Sequence, residues 1–261
     1  WQPPAGGKQK FIRGLYSGGT LCYEALTLLE RYVGPVHSNT PIDKAFALET
    51  AHRSRAHTVI DMGSDEFTVG RLHPMIDPSL RLERILKEAE DPETAVILLD
   101  VVLGYGAHPD PANELALIIR KAKQTARAQG RWLSVVLSVC GTEEDPQGYN
   151  DQVSALVEVG VVVMPSNAQA VRMAGLIAEG AGNKGKVREA VLTVRPSDPV
   201  SLPDVTLIRP LLAEAPRVVN IGLGLFAESL TAQGVRVIDV DWQPPAGGKQ
   251  KFIEMLDKLN A

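Results

Sequence analysis

Cysteine is scarce in this 261-residue chain: Cys22 and Cys140 are its full complement. Two thiols are too few for a disulfide framework and suit a reducing compartment. Long apolar runs are missing as well. Ala95–Leu99 and Val159–Met164 are strand-length, well short of the ~20 residues that span a bilayer. There is no cationic excess, since 27 Lys+Arg stand against 31 Asp+Glu for a net charge of −4. Phosphate-backbone binding needs such an excess, so nucleic acid is not expected as a partner. Trp1–Lys10 is polar and rich in Pro and Gly, not the charged-then-apolar pattern of a secretory leader. No GxSxG elbow, HExxH pair or Cys/His set at metal spacing occurs, so no metal is expected. These absences argue against secreted, membrane, collagen-like and zinc-finger classes and predict a cytoplasmic protein. What remains is ordinary globular composition, 44% hydrophobic and 22% charged, enough for one large or two small domains of ~100–200 residues.

The chain also repeats itself once. Trp1–Ile12 and Trp242–Ile253 both read WQPPAGGKQKFI. The Pro-Pro-Ala-Gly-Gly core is turn or linker material. One reading is a duplicated tail; the other is that both copies compete for one docking groove, which favours exchange between protomers and a homo-oligomer.

Elsewhere strands and helices alternate. Strands are expected at Phe11–Ser17, His57–Met62, Ala95–Leu103, Trp132–Val139 and Val161–Met164. Helices are expected at Gly19–Tyr32, Pro78–Glu90, Pro111–Gln129, Asn150–Val159 and Ser166–Glu179. Leu82, Ile85, Leu86 and Ala89 form the apolar face expected for the second helix. Continuous apolar strands between amphipathic helices mean a parallel sheet covered on both faces, with Ala95–Leu103, the most apolar, at its centre. Gly180–Lys186 breaks the pattern and Val194–Pro203 is proline-rich. A short unit follows, with strands Arg217–Ile221 and Val235–Val240 and helices Gly224–Gly234 and Lys251–Leu259. The expected organisation is a tail over residues 1–10, a flavodoxin-like α/β domain over 11–182, a linker over 183–216 and a small βαβα unit over 217–261.

Ligands of doubly wound sheets bind beyond the carboxyl ends of the strands, so the loops there hold the candidates. Ser17, Gly18, Gly19 and Thr20 end a strand and open a helix, where backbone N–H groups and the helix dipole suit a phosphate or carboxylate. The loop over 61–78 carries Arg71, a bidentate clamp for an anion, and His73, a proton donor or oxyanion partner. Asp77 reads as a helix cap. Gly104 and Gly106 permit close ligand approach beside His108, with Asp110 as a second cap. Gly141 and Thr142 open an acidic loop, Glu143–Asp145, read as a solvated rim. Cys140 has no basic neighbour in sequence to activate it. His37, His52 and His57 read as packing or surface residues. Gly222, Gly224 and Ala227 match a dinucleotide fingerprint, with Asp239 and Asp241 after the next strand, but one short unit suits packing glycines better.

With RGLYSGGTLCYEA (13–25), DMGSDEFTVGRLHPMIDP (61–78), LLDVVLGYGAHPDP (98–111), GTEEDPQ (141–147) and VVNIGLGLFAESLTAQGV (218–235), the chain resembles the FdrA family. That family is similar to the CoA-ligase region of succinyl-CoA synthetase. The resemblance implies a fold of that type and partner subunits, some opening with a segment similar to residues 218–248. It implies that a WxPPAGG stretch, here 242–248, closes the family's C-terminal segment, which makes the N-terminal copy the added one. Two activities follow from the resemblance. One is an acyl-CoA synthetase passing an acyl phosphate to CoA. The other is a subunit of an oxamate carbamoyltransferase of purine and allantoin degradation, which phosphorolyses oxalurate to oxamate and carbamoyl phosphate. The Gly-His-Ala-Gly loop of the synthetases, which carries their phosphohistidine, is missing, and His108 stands in Gly-Ala-His-Pro. Carbamoyl transfer needs no covalent histidine, only anion cradles and donors to a developing oxyanion. In that reading Ser17–Thr20 holds phosphate, Arg71 clamps a carboxylate, and His73 or His108 polarises the carbonyl. A non-catalytic assembly subunit is the third alternative. Phosphate, carbamoyl phosphate or CoA are the expected ligands, and no fixed cofactor is assigned.

Overall fold

The computed structural model describes residues 8–182 and 213–242, together with Met255 and Lys258. The chain divides into two units, Trp1–Ala190 and Val191–Ala261. In the first, β1 (Phe11–Tyr16), β2 (Thr58–Asp61), β3 (Thr94–Val102), β4 (Ser134–Cys140) and β5 (Val162–Met164) form one sheet in the order β2-β1-β3-β4-β5. Every pairing is parallel. This is the flavodoxin-like order, and the apolar β3 is central, as its composition predicts.

Helices α1 (Gly19–Val33) and α6 (Asn167–Gly182) cover one face of the sheet. Cys22, Ala25, Leu26 and Leu29 of α1 and Ala170, Val171 and Ala174 of α6 pack there on Ile12, Tyr16, Val96 and Leu98. The other face carries α3 (Ser79–Glu90), α4 (Pro111–Ala128) and α5 (Tyr149–Glu158) over Leu15, Ile60, Ile97, Leu99 and Leu137. The start and stop signals of α4 and α6 act where expected. Pro111 opens α4, Asp110 caps it by accepting from Asn113 N, and Gly130 follows its end with φ +69°. Ser166 Oγ accepts from Gln169 N at 3.3 Å ahead of α6.

Helix α3 buries charged residues beside its expected apolar face, whose Leu82, Ile85, Leu86 and Ala89 all pack on the core. Its buried residues are Arg81, Arg84, Ile85, Glu88 and Ala89, while Leu82 and Leu86 are only partly buried. The charged residues are buried alongside because the sheet and its loops supply partners for them. Arg13 of β1 pairs with Glu88 at 3.0 Å and Asp91 at 2.6 Å, and Arg84 pairs with Glu88 at 2.6 Å. Ser54 Oγ donates to Glu88 Oε1 at 2.6 Å. Buried charges persist only when paired in this way.

The loop over 61–78 is interrupted by one short turn of helix, α2 (Asp65–Thr68). The three histidines read as packing residues each meet an aromatic ring edge-on: His57 with Phe11, His37 with Phe46 and His52 with Phe67. Of the repeat, residues 1–7 and 243–253 lie outside the described residues. Gln9 and Lys10, expected in a tail, belong to the entry of the sheet. Gln9 Nε2 donates to Thr94 O at 2.8 Å and Trp132 O at 2.7 Å, and Lys10 N donates to Glu93 O at 2.9 Å.

The second unit contains β6 (Arg217–Ile221), α7 (Gly224–Ala232) and β7 (Arg236–Val240), with β6 and β7 parallel. The helix expected at Lys251–Leu259 and most of the linker expected at 183–216 lie outside the described residues; Met255 and Lys258 are helical. No described helix is long and apolar enough to cross a membrane.

Candidate functional site

The carboxyl ends of β2, β1 and β3 meet at a turn fixed from beneath. Ser17 follows β1 directly. Its N–H donates to Asp100 Oδ1 at 2.9 Å, and its hydroxyl donates to Asp100 Oδ2. Asp100 lies on β3 and is 1% exposed. From α3, Arg81 donates through Nη2 to Asp100 Oδ1 at 2.6 Å and Asp100 O at 2.7 Å, and through Nε to Leu15 O at 2.9 Å. A paired, hydrogen-bonded Asp–Arg couple thus ties three elements to one turn. Both Ser17 donors expected to face a ligand are engaged by Asp100, so what the turn offers is the backbone of Gly18, Gly19 and Thr20.

Gly18 is extended at the start of α1, and no side chain caps the helix. The first N–H groups of a helix have no intrahelical acceptor, and the helix dipole adds partial positive charge there. No acidic residue stands in the first turn of α1 itself.

Asp61, at the end of β2, is set beside Tyr16 by the register of the sheet. Asn39 holds its backbone from both sides: Asp61 N donates to Asn39 Oδ1, and Asn39 Nδ2 donates to Asp61 O, each at 2.9 Å. Its Oδ1 accepts from Gly63 N at 2.9 Å. Its Oδ2 lies 3.2 Å from where a Cβ on Gly19 would stand. Burial pushes the Asp61 carboxyl above the usual range; the Gly63 N–H and His73 oppose this, and Asp100 adds to it.

His73 joins the same corner. A Cβ on Gly63 would stand 2.6 Å from His73 Nε2, 2.8 Å from Ser17 O and 3.3 Å from Asp61 Oδ1. Position 63 therefore has room only for glycine, and its absent side chain lets the imidazole approach the turn. His73 Nδ1 accepts from Met75 N at 3.3 Å, which leaves Nε2 as the proton-bearing nitrogen of the neutral ring.

The other expected residues are placed differently. His108 Nδ1 accepts from Asp110 N at 3.1 Å, and its Nε2 stands 3.6 Å from Glu114. Arg71 is exposed. The hydrogen bonds from Ser79 to Asp77 lower the Asp77 carboxyl, with His108 and Arg71 adding to the shift; the N-cap position of α3 is Pro78, not the expected Asp77. Gln147 bridges the loops after β3 and β4, accepting from Gly104 N at 3.1 Å and donating to Gly104 O at 2.9 Å and His108 O at 3.1 Å. Gly104 and Gly106 thus sit in a loop braced by protein contacts. A Cβ on Gly141 would meet Leu103 at 2.7 Å, so loop packing requires that glycine. Thr142 N donates to Asp145 Oδ2 at 2.7 Å. Cys140 is exposed.

A cleft of about 350 Å³ is lined by Arg120, Lys123 and Arg127 together with Trp132 and Glu158. It lies at the amino ends of β4 and β5. Lys123 there donates to the carbonyls of Val159 at 3.0 Å and Gly160 at 2.5 Å, and burial lowers its pKa. The carboxyl-end corner is the better candidate. Its Arg81, Asp100 and Asp61 are the residues that sequence reasoning passed over. The signal for Asp100 was a lone charge within VILLDVV; for Arg81, it was its i, i+4 and i+8 spacing with Ile85 and Ala89.

The corner lies inside a family match. A model described as CoA-ligase matches residues 15–177. An uncharacterised protein of Escherichia coli strain K12, YahF, is 44% identical over 160 residues, covering 61% of this chain and 31% of YahF. The chain thus spans less than a third of that relative's length. The matched segment contains the Ser17 turn, Asp61, His73, Arg81 and Asp100, and the chain belongs to the CoA-ligase family.

Proposed function

We propose that the chain is a subunit of a group-transfer enzyme that holds a small acyl- or carbamoyl-phosphate anion at the start of α1. The carrying observation is the uncapped helix N-terminus at Gly18–Thr20, fixed by Asp100 and Arg81 and faced by His73. Such a terminus complements a phosphate without any lysine. His73 Nε2 supplies a hydrogen-bond donor for the oxygen that gains charge when a carbonyl carbon is attacked. Arg71, exposed nearby in sequence, is the clamp for a second anionic group.

Two substrate pairs suit this arrangement. The FdrA resemblance favours carbamoyl transfer between oxamate and phosphate, with the rest of the enzyme supplied by partner subunits. The CoA-ligase family match favours acyl transfer to CoA. Both use a mixed carbonyl–phosphate anhydride, so the turn has the same task in each. Thermal-shift measurements with phosphate, carbamoyl phosphate, oxamate, ADP and CoA separate them, because a native-state ligand raises Tm by mass action. Stabilisation by carbamoyl phosphate or oxamate without CoA supports carbamoyl transfer; stabilisation by CoA supports the ligase. No response to any anion contradicts both and favours an assembly role.

A further inference from the structure

Residues 115–142 hold Arg120, Lys121, Lys123, Arg127 and Arg131 and no Asp or Glu, in a chain of net charge −4. None of these cations forms an ion pair among the described residues. Arg120, Lys123 and Arg127 share one face of α4, at i, i+3 and i+7, where like charges oppose helix formation. The helix dipole favours Arg127, in the last turn, but offers nothing to Arg120 further in. This face lines the cleft of about 350 Å³ at the amino ends of β4 and β5, which Trp132, Leu133 and Glu158 close. That volume is in the range of small-ligand pockets. Lys123 donates to the carbonyls of Val159 and Gly160, which occupies two of its three N–H groups. Burial, and then Arg127, lower its pKa, so an added negative charge is favourable there. Arg127 lies over the Trp132 ring at 5.7 Å, its guanidinium against an indole that is 43% exposed. Arg120 and Arg127 stand two helical turns apart, about 10 Å along the axis, with Lys123 between them.

We propose that this cleft binds a small organic dianion, with one charged group held by Arg120, the other by Arg127, and the carbon frame against Trp132 and Leu133. Guanidinium groups bond carboxylate and phosphate alike, so the number and spacing of charges define the ligand class. A single inorganic ion leaves one guanidinium and the indole unused. In the parallel sheet, the amino ends of β4 and β5 lie at the opposite end from the Ser17 turn. This ligand is therefore not the one proposed at α1, and neither reading depends on the other.

The test is NMR titration of the full chain at fixed ionic strength, following the Trp132 indole N–H, assigned by its loss in Trp132→Phe, and the Gly160 amide. The probes are terephthalate, 1,4-benzenediphosphonate, benzoate and sulfate. At least one of the two dianions should move both signals and bind about tenfold more tightly than benzoate or sulfate, the factor of one further charge-assisted hydrogen bond. Which dianion binds better tells a carboxylate ligand from a phosphate. Arg120→Gln and Arg127→Gln should each bring that affinity to within about twofold of benzoate, which keeps a single charge for the remaining guanidinium. Glu158→Gln removes the only carboxylate lining the cleft and should tighten binding about two- to fivefold. A gain of that kind cannot come from a folding defect. Signals that no probe moves overturn the proposal, as do equal affinities for dianion and benzoate. Sulfate binding as tightly as the dianions shows an adventitious ion only and overturns it as well. So does dianion binding that both arginine variants leave unchanged, or that Glu158→Gln weakens.

Discussion

Arg81 and Asp100 meet at 2.6 Å beneath the Ser17 turn, on a helix and a strand separated in sequence and joined nowhere else by charge. Both are almost fully buried, with side chains 4% and 1% exposed. The pair makes two core elements the floor of the candidate site. Asp100 also receives both donors of Ser17, so removing either member disturbs the turn as well as the core.

Arg81→Met leaves Asp100 with a buried charge and one hydrogen-bonding residue. Breaking a buried pair from one side costs about 3–5 kcal/mol, and urea unfolding should show a loss of that size. Pairing the change with Asp100→Asn should cost less than the two single changes added together, because the second removes the orphaned charge. Additive losses would show that the two residues act independently.

Asp61 should lower stability at neutral pH. Its carboxyl is raised in the folded state by burial, with Asp100 adding to the shift and Gly63 N–H and His73 opposing it; Cys22 is in the same surroundings. A folded-state pKa above the unfolded value gives stability that is full at low pH and is lost as pH rises through the folded pKa. Asp61→Asn should therefore have the higher Tm at pH 7, and the gain should shrink toward pH 4. A variant less stable at both values would contradict the shift.

His57 titrates in the opposite direction. Burial, then Arg13, His37 and Lys10, push its pKa down to about 4, and its Nδ1 accepts from Ile12 N at 3.3 Å. The unfolded chain binds this proton more readily than the folded one. Stability is thus full above pH 6.5 and declines as pH falls toward 4. His57→Gln should flatten Tm over that window; an unchanged slope would assign the acid sensitivity elsewhere.

The two WQPPAGGKQKFI copies should not be interchangeable. The first continues into Arg13, which pairs with Glu88 and Asp91. The second continues into Glu254, which in the same slot would confront those carboxylates with another. Deleting residues 1–10 removes the Gln9 hydrogen bonds to Thr94 and Trp132. It should lower Tm by a few degrees, or about 1–2 kcal/mol, although the second copy remains. An unchanged Tm would show that the second copy had taken the slot.

Local patterns made the sheet legible. Period and length identified the five strands, and the apolar content of 95–103 placed β3 at the centre. Asp110, Ser166 and Gly130 mark their helix ends through short-range chemistry. The α3 face of Leu82, Ile85, Leu86 and Ala89 packs on the core as its spacing predicts, but a pattern of apolar positions does not reveal that Arg81, Arg84 and Glu88 are buried beside it. Only the sheet supplies Arg13 and Asp100 to hold them inside. The Ser17–Thr20 turn was visible as a glycine pair between strand and helix. The convergence of His73, Gly63 and Asp61 on it was not, since it depends on how the loop after β2 folds back. His108 reads like His73 in sequence; in the structure its Nε2 lies 3.6 Å from Glu114, whereas His73 Nε2 approaches the backbone of Gly63 and Ser17.

Backbone amide NMR during titration with carbamoyl phosphate tests the central claim most directly. The account predicts that the largest shifts fall on Gly18, Gly19 and Thr20, with Gly63 and the His73 imidazole responding in step. Shifts concentrated elsewhere, or none at saturating ligand, would contradict a binding site at the start of α1.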